Sequence, residues 1–163
     1  MLGCLKETFP STSILLLTAT CSRDDVEIIC QTLNIDSANF DVIHSLCFHH
    51  PEIEYEVKKK GTRKRNLIEI AEIIKEISNG QYIIYCSSPN MCNEILSLLQ
   101  DKLKETAIGT YHEGLGSSER DQIMLQWKSQ RLKVMIATNA FGLGVNSPNV
   151  RAVIHYTFPS SIS

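Results

Sequence analysis

The tightest constraint on this chain is a four-residue run, VMIA at 134–137, in which every side chain is apolar. A strand so short and so apolar has no face to turn to water, and it fits a sheet covered by helices on both sides. Thr138 follows it, then a loop holding Gly142, Gly144 and Asn146, then a second apolar run at 151–156. A threonine directly after a parallel strand puts its hydroxyl and the next backbone N–H groups at the carboxyl edge of the sheet, where α/β folds bind ligands. That edge is a place to read phosphate.

The rest of the chain alternates in the same way. ILLL at 14–17 reads as a buried strand, followed by a helix over about 23–33 with Val26, Ile29, Cys30 and Leu33 on one face. Leu67, Ile70, Ala71, Ile74 and Ile77 make the stripe of a second helix, ended by Asn79-Gly80 as a C-cap. Residues 82–86 form a strand. Ser88 as N-cap with Pro89 at the first helical position opens a helix whose stripe is Met91, Ile95, Leu98, Leu99 and Leu103. A last helix covers about 118–128, faced by Ile123, Met124 and Trp127. Strands alternating with helices predict βαβ units, hence an α/β fold with a parallel sheet flanked by helices.

Bulk charge names no partner. The net charge is -2 and the pI about 6.2, so any nucleic-acid binding has to come from local patches. The one basic cluster is KKKGTRKR, with Lys58, Lys59, Lys60, Arg63, Lys64 and Arg65. It reads first as a solvated loop before a helix, with a nuclear-import signal and a patch for the DNA backbone as the two other readings. The six cysteines show no C-x-x-C pair and are expected reduced and mostly packed. His49 and His50 have no partner at ligand spacing, so no metal site is expected. No apolar run reaches the roughly 20 residues of a membrane span, and there is no signal-peptide pattern. The expected compartment is the nucleus, otherwise the cytoplasm.

Four blocks carry a resemblance. ATNAFGLGVNSPNVRAVIHY at 137–156 resembles motif V of RecQ-family DNA helicases, and IIYCSS at 83–88 resembles their motif IV. LLLTAT at 15–20 is similar to motif III, and YHEGL at 111–115 to the segment between motifs IV and V. The order and spacing are those of the family. Motif V also disfavours RNA helicases of the DEAD-box kind, which usually carry an Arg-Gly-Leu-Asp run where this chain has Gly142, Leu143, Gly144, Val145 and Asn146.

The resemblance implies a RecA-like fold of the P-loop NTPase type. Residues 1–40 would be the end of a first lobe and 41–163 a second, C-terminal lobe stopping before motif VI. It implies a part of an ATP-dependent 3′–5′ DNA helicase, acting on single-stranded or forked DNA beside a first helicase lobe absent from this chain. Thr18 and Thr20 would couple nucleotide cleft to DNA; Gly142, Gly144 and Asn146 would face the nucleotide; Ser88, His112 and Thr138 would contact nucleic acid. The complete helicase would use ATP and Mg²⁺. This chain contains no G-x-x-x-x-G-K-[ST], no Asp-Glu pair of the Walker B type and no motif VI, so alone it is expected to hold neither and to lack ATPase activity.

Several positions depart from the family. Pro89 replaces an arginine, His50 and Glu52 replace Arg and Asn, and Ser147 replaces a lysine. Glu113 stands where small residues are usual, and a carboxylate there repels phosphate. Each change subtracts positive or adds negative charge, which raises an alternative: a non-catalytic nucleic-acid or protein-binding module derived from a helicase lobe.

Overall fold

A computed structural model describes residues 4–18, 21–36, 39–43, 51–77, 79–142 and 147–157. The chain divides into two compact units, residues 1–56 with Ser163, and residues 57–162.

Among the described residues the first unit carries two helices, α1 (Cys4–Thr8) and α2 (Arg23–Leu33). Ser22 starts α2 with a reciprocal capping box: its hydroxyl accepts from the Asp25 amide, and the Asp25 carboxylate accepts from the Ser22 amide at 2.8 Å. The backbone hydrogen bond from Ser22, then that from its hydroxyl, holds the Asp25 carboxyl below its ordinary pKa. Asn34 ends the helix in the left-handed region and returns its N–H to the Cys30 and Gln31 carbonyls. Cys30 and Leu33 are buried, on the expected face.

The expected buried strand at 14–17 is not there. This stretch has no strand pairing, and Leu15 and Leu17 are 79% and 86% exposed. Apolar content states what a strand would bury once paired. It does not supply the neighbouring strand, and among the described residues none pairs with this one.

The second unit is a four-stranded parallel sheet in the order β2-β3-β1-β4, from β1 (Gln81–Tyr85), β2 (Ile108–Tyr111), β3 (Val134–Ala137) and β4 (Val150–His155). Helices α3 (Arg63–Glu76), α4 (Pro89–Lys102) and α5 (Ser117–Lys128) stand between and before the strands. The fold expectation is met: α/β, parallel, helix-flanked.

Alternation along β1 and β3 sorts the core into two layers. Tyr82, Ile84, Val134 and Ile136 pack with Leu67, Ile70, Ala71 and Ile74 of α3 and Cys92, Ile95 and Leu99 of α4. Ile83, Met135 and Ala137 pack on the other face with Trp127 of α5, Leu132 and Phe141. Every residue of β3 is fully buried, as its all-apolar sequence demands.

Two helix details differ from expectation. Helix α3 closes at Ile77, whose N–H bonds the Ile73 carbonyl, ahead of Asn79-Gly80. Gly80 instead turns the chain into β1 at φ +147, where a Cβ would meet the Arg151 side chain and the Asn149 carbonyl. On α4, Leu98 lies at the surface, while Cys92 is fully buried in the stripe. A cysteine at that place packs as a small apolar side chain.

Trp127 is wholly buried and meets the Phe141 ring edge-on at 5.6 Å. Trp127→Ala is expected to cost about 3–5 kcal/mol through lost packing and a cavity. Urea unfolding followed by circular dichroism checks this; an unchanged midpoint would show that the α5 layer contributes little.

Candidate nucleic-acid interface

Parallel strands end together, so whatever follows β1, β2 and β3 collects at one edge of the sheet. Backbone bonds carry the ladder past the strand ends: Cys86 N–H to Ala137 O at 2.8 Å, Thr138 N–H to Tyr111 O at 3.2 Å, Tyr156 N–H to Tyr85 O at 2.9 Å. Ser88, His112 and Thr138 are therefore brought to the same carboxyl edge. Thr18 belongs to the first unit, where it is exposed. Thr20, Gly144 and Asn146 lie outside the described residues, as do His49 and His50.

Ser88 caps α4 as expected. Its hydroxyl accepts from the Met91 amide at 3.4 Å, with Pro89 in the first turn. The preceding Cys86 thiol has the Cys92 thiol as its neighbour, and that neighbour, then burial, pushes its pKa well up. These are packing thiols. Three of the five described cysteines are buried, and all five are free.

His112 is 4% exposed, and neither ring nitrogen has a hydrogen-bond partner among the described residues. Buried polar atoms are nearly always paired, so an imidazole at a strand edge with no partner among the described residues marks a place where a further partner is expected. Beside it, Thr138 is 6% exposed and donates its hydroxyl to the Glu113 carboxylate at 2.7 Å. That hydrogen bond, together with a backbone amide and the nearby His112, holds the Glu113 carboxyl below its ordinary pKa.

Two residues of β1 that the motifs do not point to hold the loop after β3. The Tyr85 hydroxyl donates to the Phe141 carbonyl at 2.9 Å, and burial raises its pKa, keeping it a donor. Gly142 follows at φ +140, and a Cβ there would sit 3.0 Å from the same hydroxyl. The missing Cβ is what lets the backbone lie this close to the tyrosine. At the other end of the loop, Ser147 donates to the Gln81 side-chain carbonyl at 2.9 Å. The Gln81 amide donates in turn to the Trp127 and Leu132 carbonyls. Gln81 is 1% exposed and fully satisfied. A glutamine before an apolar run signals nothing in a sequence; Tyr85 was visible only as a strand residue.

The basic cluster is partly spent on structure. Lys60 donates to the Tyr156 carbonyl at 3.3 Å and lies 4.8 Å from the centre of its ring. Arg63 pairs with Glu94, and Arg65 with Glu69 at 3.0 Å. Since Tyr156 stands at the end of β4, Lys60 brings the cluster to the carboxyl edge that also carries Ser88, His112 and Thr138. Among the described residues no group of three or more His, Cys, Asp or Glu is placed to hold a metal ion.

A helix-flanked parallel sheet of this topology is the architecture of a RecA-like lobe. The family model for the helicase conserved C-terminal domain matches residues 63–163, and the chain belongs to that family. Its sequence relatives include RecQ-family DNA helicases: ATP-dependent DNA helicase Q1 of Rattus norvegicus, 35% identical over 99% of this chain and 25% of that protein, and ATP-dependent DNA helicase RecQ of Pasteurella multocida, 32% identical over 99% and 24%. The chain spans about a quarter of the length of these relatives. Among solved structures, S. cerevisiae Dbp5 bound to RNA and ADP BeF3 covers 98% of this chain, with 40% of its own length, at TM-score 0.67 and 20% identity. The helicase Lhr of Mycobacterium smegmatis, bound to ssDNA and AMP-PNP, covers 61% at TM-score 0.52 and 19% identity. These likenesses are of fold.

Tyr85→Phe deletes one hydroxyl and leaves the Phe141 carbonyl without its donor. A loss of about 1 kcal/mol is expected. Hydrogen exchange should quicken at the Phe141 and Gly142 amides and stay unchanged at Ile84; equal acceleration throughout the sheet would deny the clamp.

Proposed function

We propose that this chain is the second-lobe portion of a RecQ-like ATP-dependent 3′–5′ DNA helicase, and that the carboxyl edge of its sheet binds single-stranded DNA. Residues 1–40 belong on this reading to the end of a first lobe and 41–163 to the second. Ser88, His112 and Thr138 face the nucleic acid, Gly142, Gly144 and Asn146 the nucleotide, and Thr18 and Thr20 couple the two. ATP with Mg²⁺ is the fuel of the complete helicase, bound between this lobe and one that carries the Walker lysine. The work is nuclear, and no helix among the described residues is long and apolar enough to cross a membrane.

The observation that carries the reading is the buried, unpartnered His112 beside the Thr138 hydroxyl, on the edge that Lys60 also reaches. A hydroxyl, an imidazole and exposed α4 and loop amides offer a backbone phosphate donors from several strands at once. Lys59 and Lys64 are exposed next to that edge and supply the diffuse positive charge that single strands need.

The test is a titration of the chain with oligothymidylate, followed by backbone amide shifts. Perturbation is expected at 86–88, 90, 112–116 and 138–142. Shifts confined to the amino edge of the sheet would reject the site. Affinity is expected to fall with salt, and Lys59→Ser with Lys64→Ser to shrink the slope of log affinity against log salt by about 0.7 for each phosphate no longer neutralised. A slope unchanged by both substitutions would assign the cluster to nuclear import or plain solvation, which nuclear retention of a tagged protein then separates.

A further inference from the structure

The Thr138 hydroxyl points its proton at the chain's own carboxylate. Its acceptor, Glu113, lies 25 residues earlier, in the turn after β2, and the 2.7 Å bond joins the ends of two neighbouring parallel strands. Glu113 is exposed, so this contact is not forced by burial of the carboxylate. Thr138 is buried, at 6% exposure, so its hydroxyl has few other partners within reach. The nearby Glu119 behaves differently: it accepts from the Gly116 amide at 3.0 Å as a local helix cap three residues away, an ordinary closure of α5. Only the Glu113 contact spans the edge itself.

We infer that Glu113 is a latch on the carboxyl edge, a carboxylate that occupies the Thr138 hydroxyl and must swing away before a nucleic-acid phosphate can take its place. The inference rests on the proposal that this edge binds single-stranded DNA. The latch acts in two ways. It consumes the donor that the phosphate would use, and its negative charge stands where the phosphate oxygen would stand. The first effect opposes any acceptor; the second opposes anions alone. Opening has an easy path, because an exposed glutamate rotates into water at little cost, whereas a buried one would strand a charge. Glu113 therefore sets how tightly the edge holds DNA, and any arrangement that draws the carboxylate elsewhere, such as a basic side chain from an adjoining lobe, would open it.

The experiment is a double-mutant cycle on the whole chain, reading affinity for fluorescein-labelled oligothymidylate by anisotropy at one fixed salt concentration. Glu113→Ala is expected to tighten binding about fivefold, the worth of one freed hydrogen bond. Glu113→Gln, which keeps an acceptor for Thr138 but drops the charge, should gain less than Glu113→Ala and guards against a folding defect in the shorter variant. In a Thr138→Val background the gain from Glu113→Ala should shrink to the part owed to charge alone, clearly below the gain in the native background, since there is no hydroxyl left to free.

Equal or weaker binding by both Glu113 variants would overturn the latch and recast the contact as a structural tie between β2 and β3. So would a gain of the same size with and without the Thr138 hydroxyl, which belongs to general charge repulsion. Amide shifts recorded with the same oligonucleotide keep the two readings apart. Edge shifts without a gain from Glu113→Ala sink the latch and leave the site standing. Edge shifts only in Glu113→Ala support a latch that holds the native edge closed. No edge shifts in either protein remove both.

Discussion

Strand β1 is the element on which the second unit depends. Its backbone pairs on both sides, with β3 and β4, and its side chains are buried above and below the sheet. Tyr82 and Ile84 hold the α3–α4 layer, Ile83 the α5 layer. Its two polar ends do as much. Gln81 ties the end of α5 and Ser147 to the amino end of the strand, and Tyr85 ties Phe141 to the carboxyl end. The loop between β3 and β4 is thereby attached at both ends to one strand, whose position the core dictates.

The candidate interface follows from that arrangement with little extra machinery. Parallel pairing aligns the strand ends, so residues distant in sequence share an edge: Ser88 from β1–α4, His112 and Glu113 from β2–α5, Thr138 from β3. The edge is rich in hydroxyl and amide donors with one buried imidazole, and it carries one carboxylate in its midst. On the proposed reading, a nucleotide-facing glycine and a phosphate-facing threonine stand close together in one loop, Gly142 and Thr138, which is how a single loop is able to sense both ligands of a helicase.

How much of this the sequence disclosed depended on where each signal resides. Helices α2 to α5 and strands β1, β3 and β4 were legible because their apolar periodicity and caps are local; Ser88 with Pro89 announced α4 to the residue. The run at 14–17 misled, because strand formation depends on a neighbour that composition does not reveal. Motif order placed Ser88, His112 and Thr138 on one edge. Long-range polar pairs stayed invisible: Thr138 with Glu113 across 25 residues, and Gln81 with Ser147 across 66. Glu113 was legible as a repulsive charge, but its specific partner was not. The basic cluster read as one feature, whereas the fold spends Lys60, Arg63 and Arg65 on separate contacts.

The position of β4 has a consequence for how copies of this lobe behave at high concentration. It closes one side of the sheet, pairing among the described residues only with β1, and its residues alternate between half-buried and exposed. A bare strand edge is a template on which a second chain's strand can grow. Arg151, Val153 and His155 are the side chains it turns outward, and Val153 is the sole large aliphatic among them, 49% exposed. The Arg151 guanidinium sets a fixed positive charge near one end of that edge and the His155 ring, stacked on Tyr85 at 5.3 Å, stiffens the other. Two copies paired in parallel and in register along that edge would set their Arg151 guanidinium groups side by side, an arrangement that like charge disfavours.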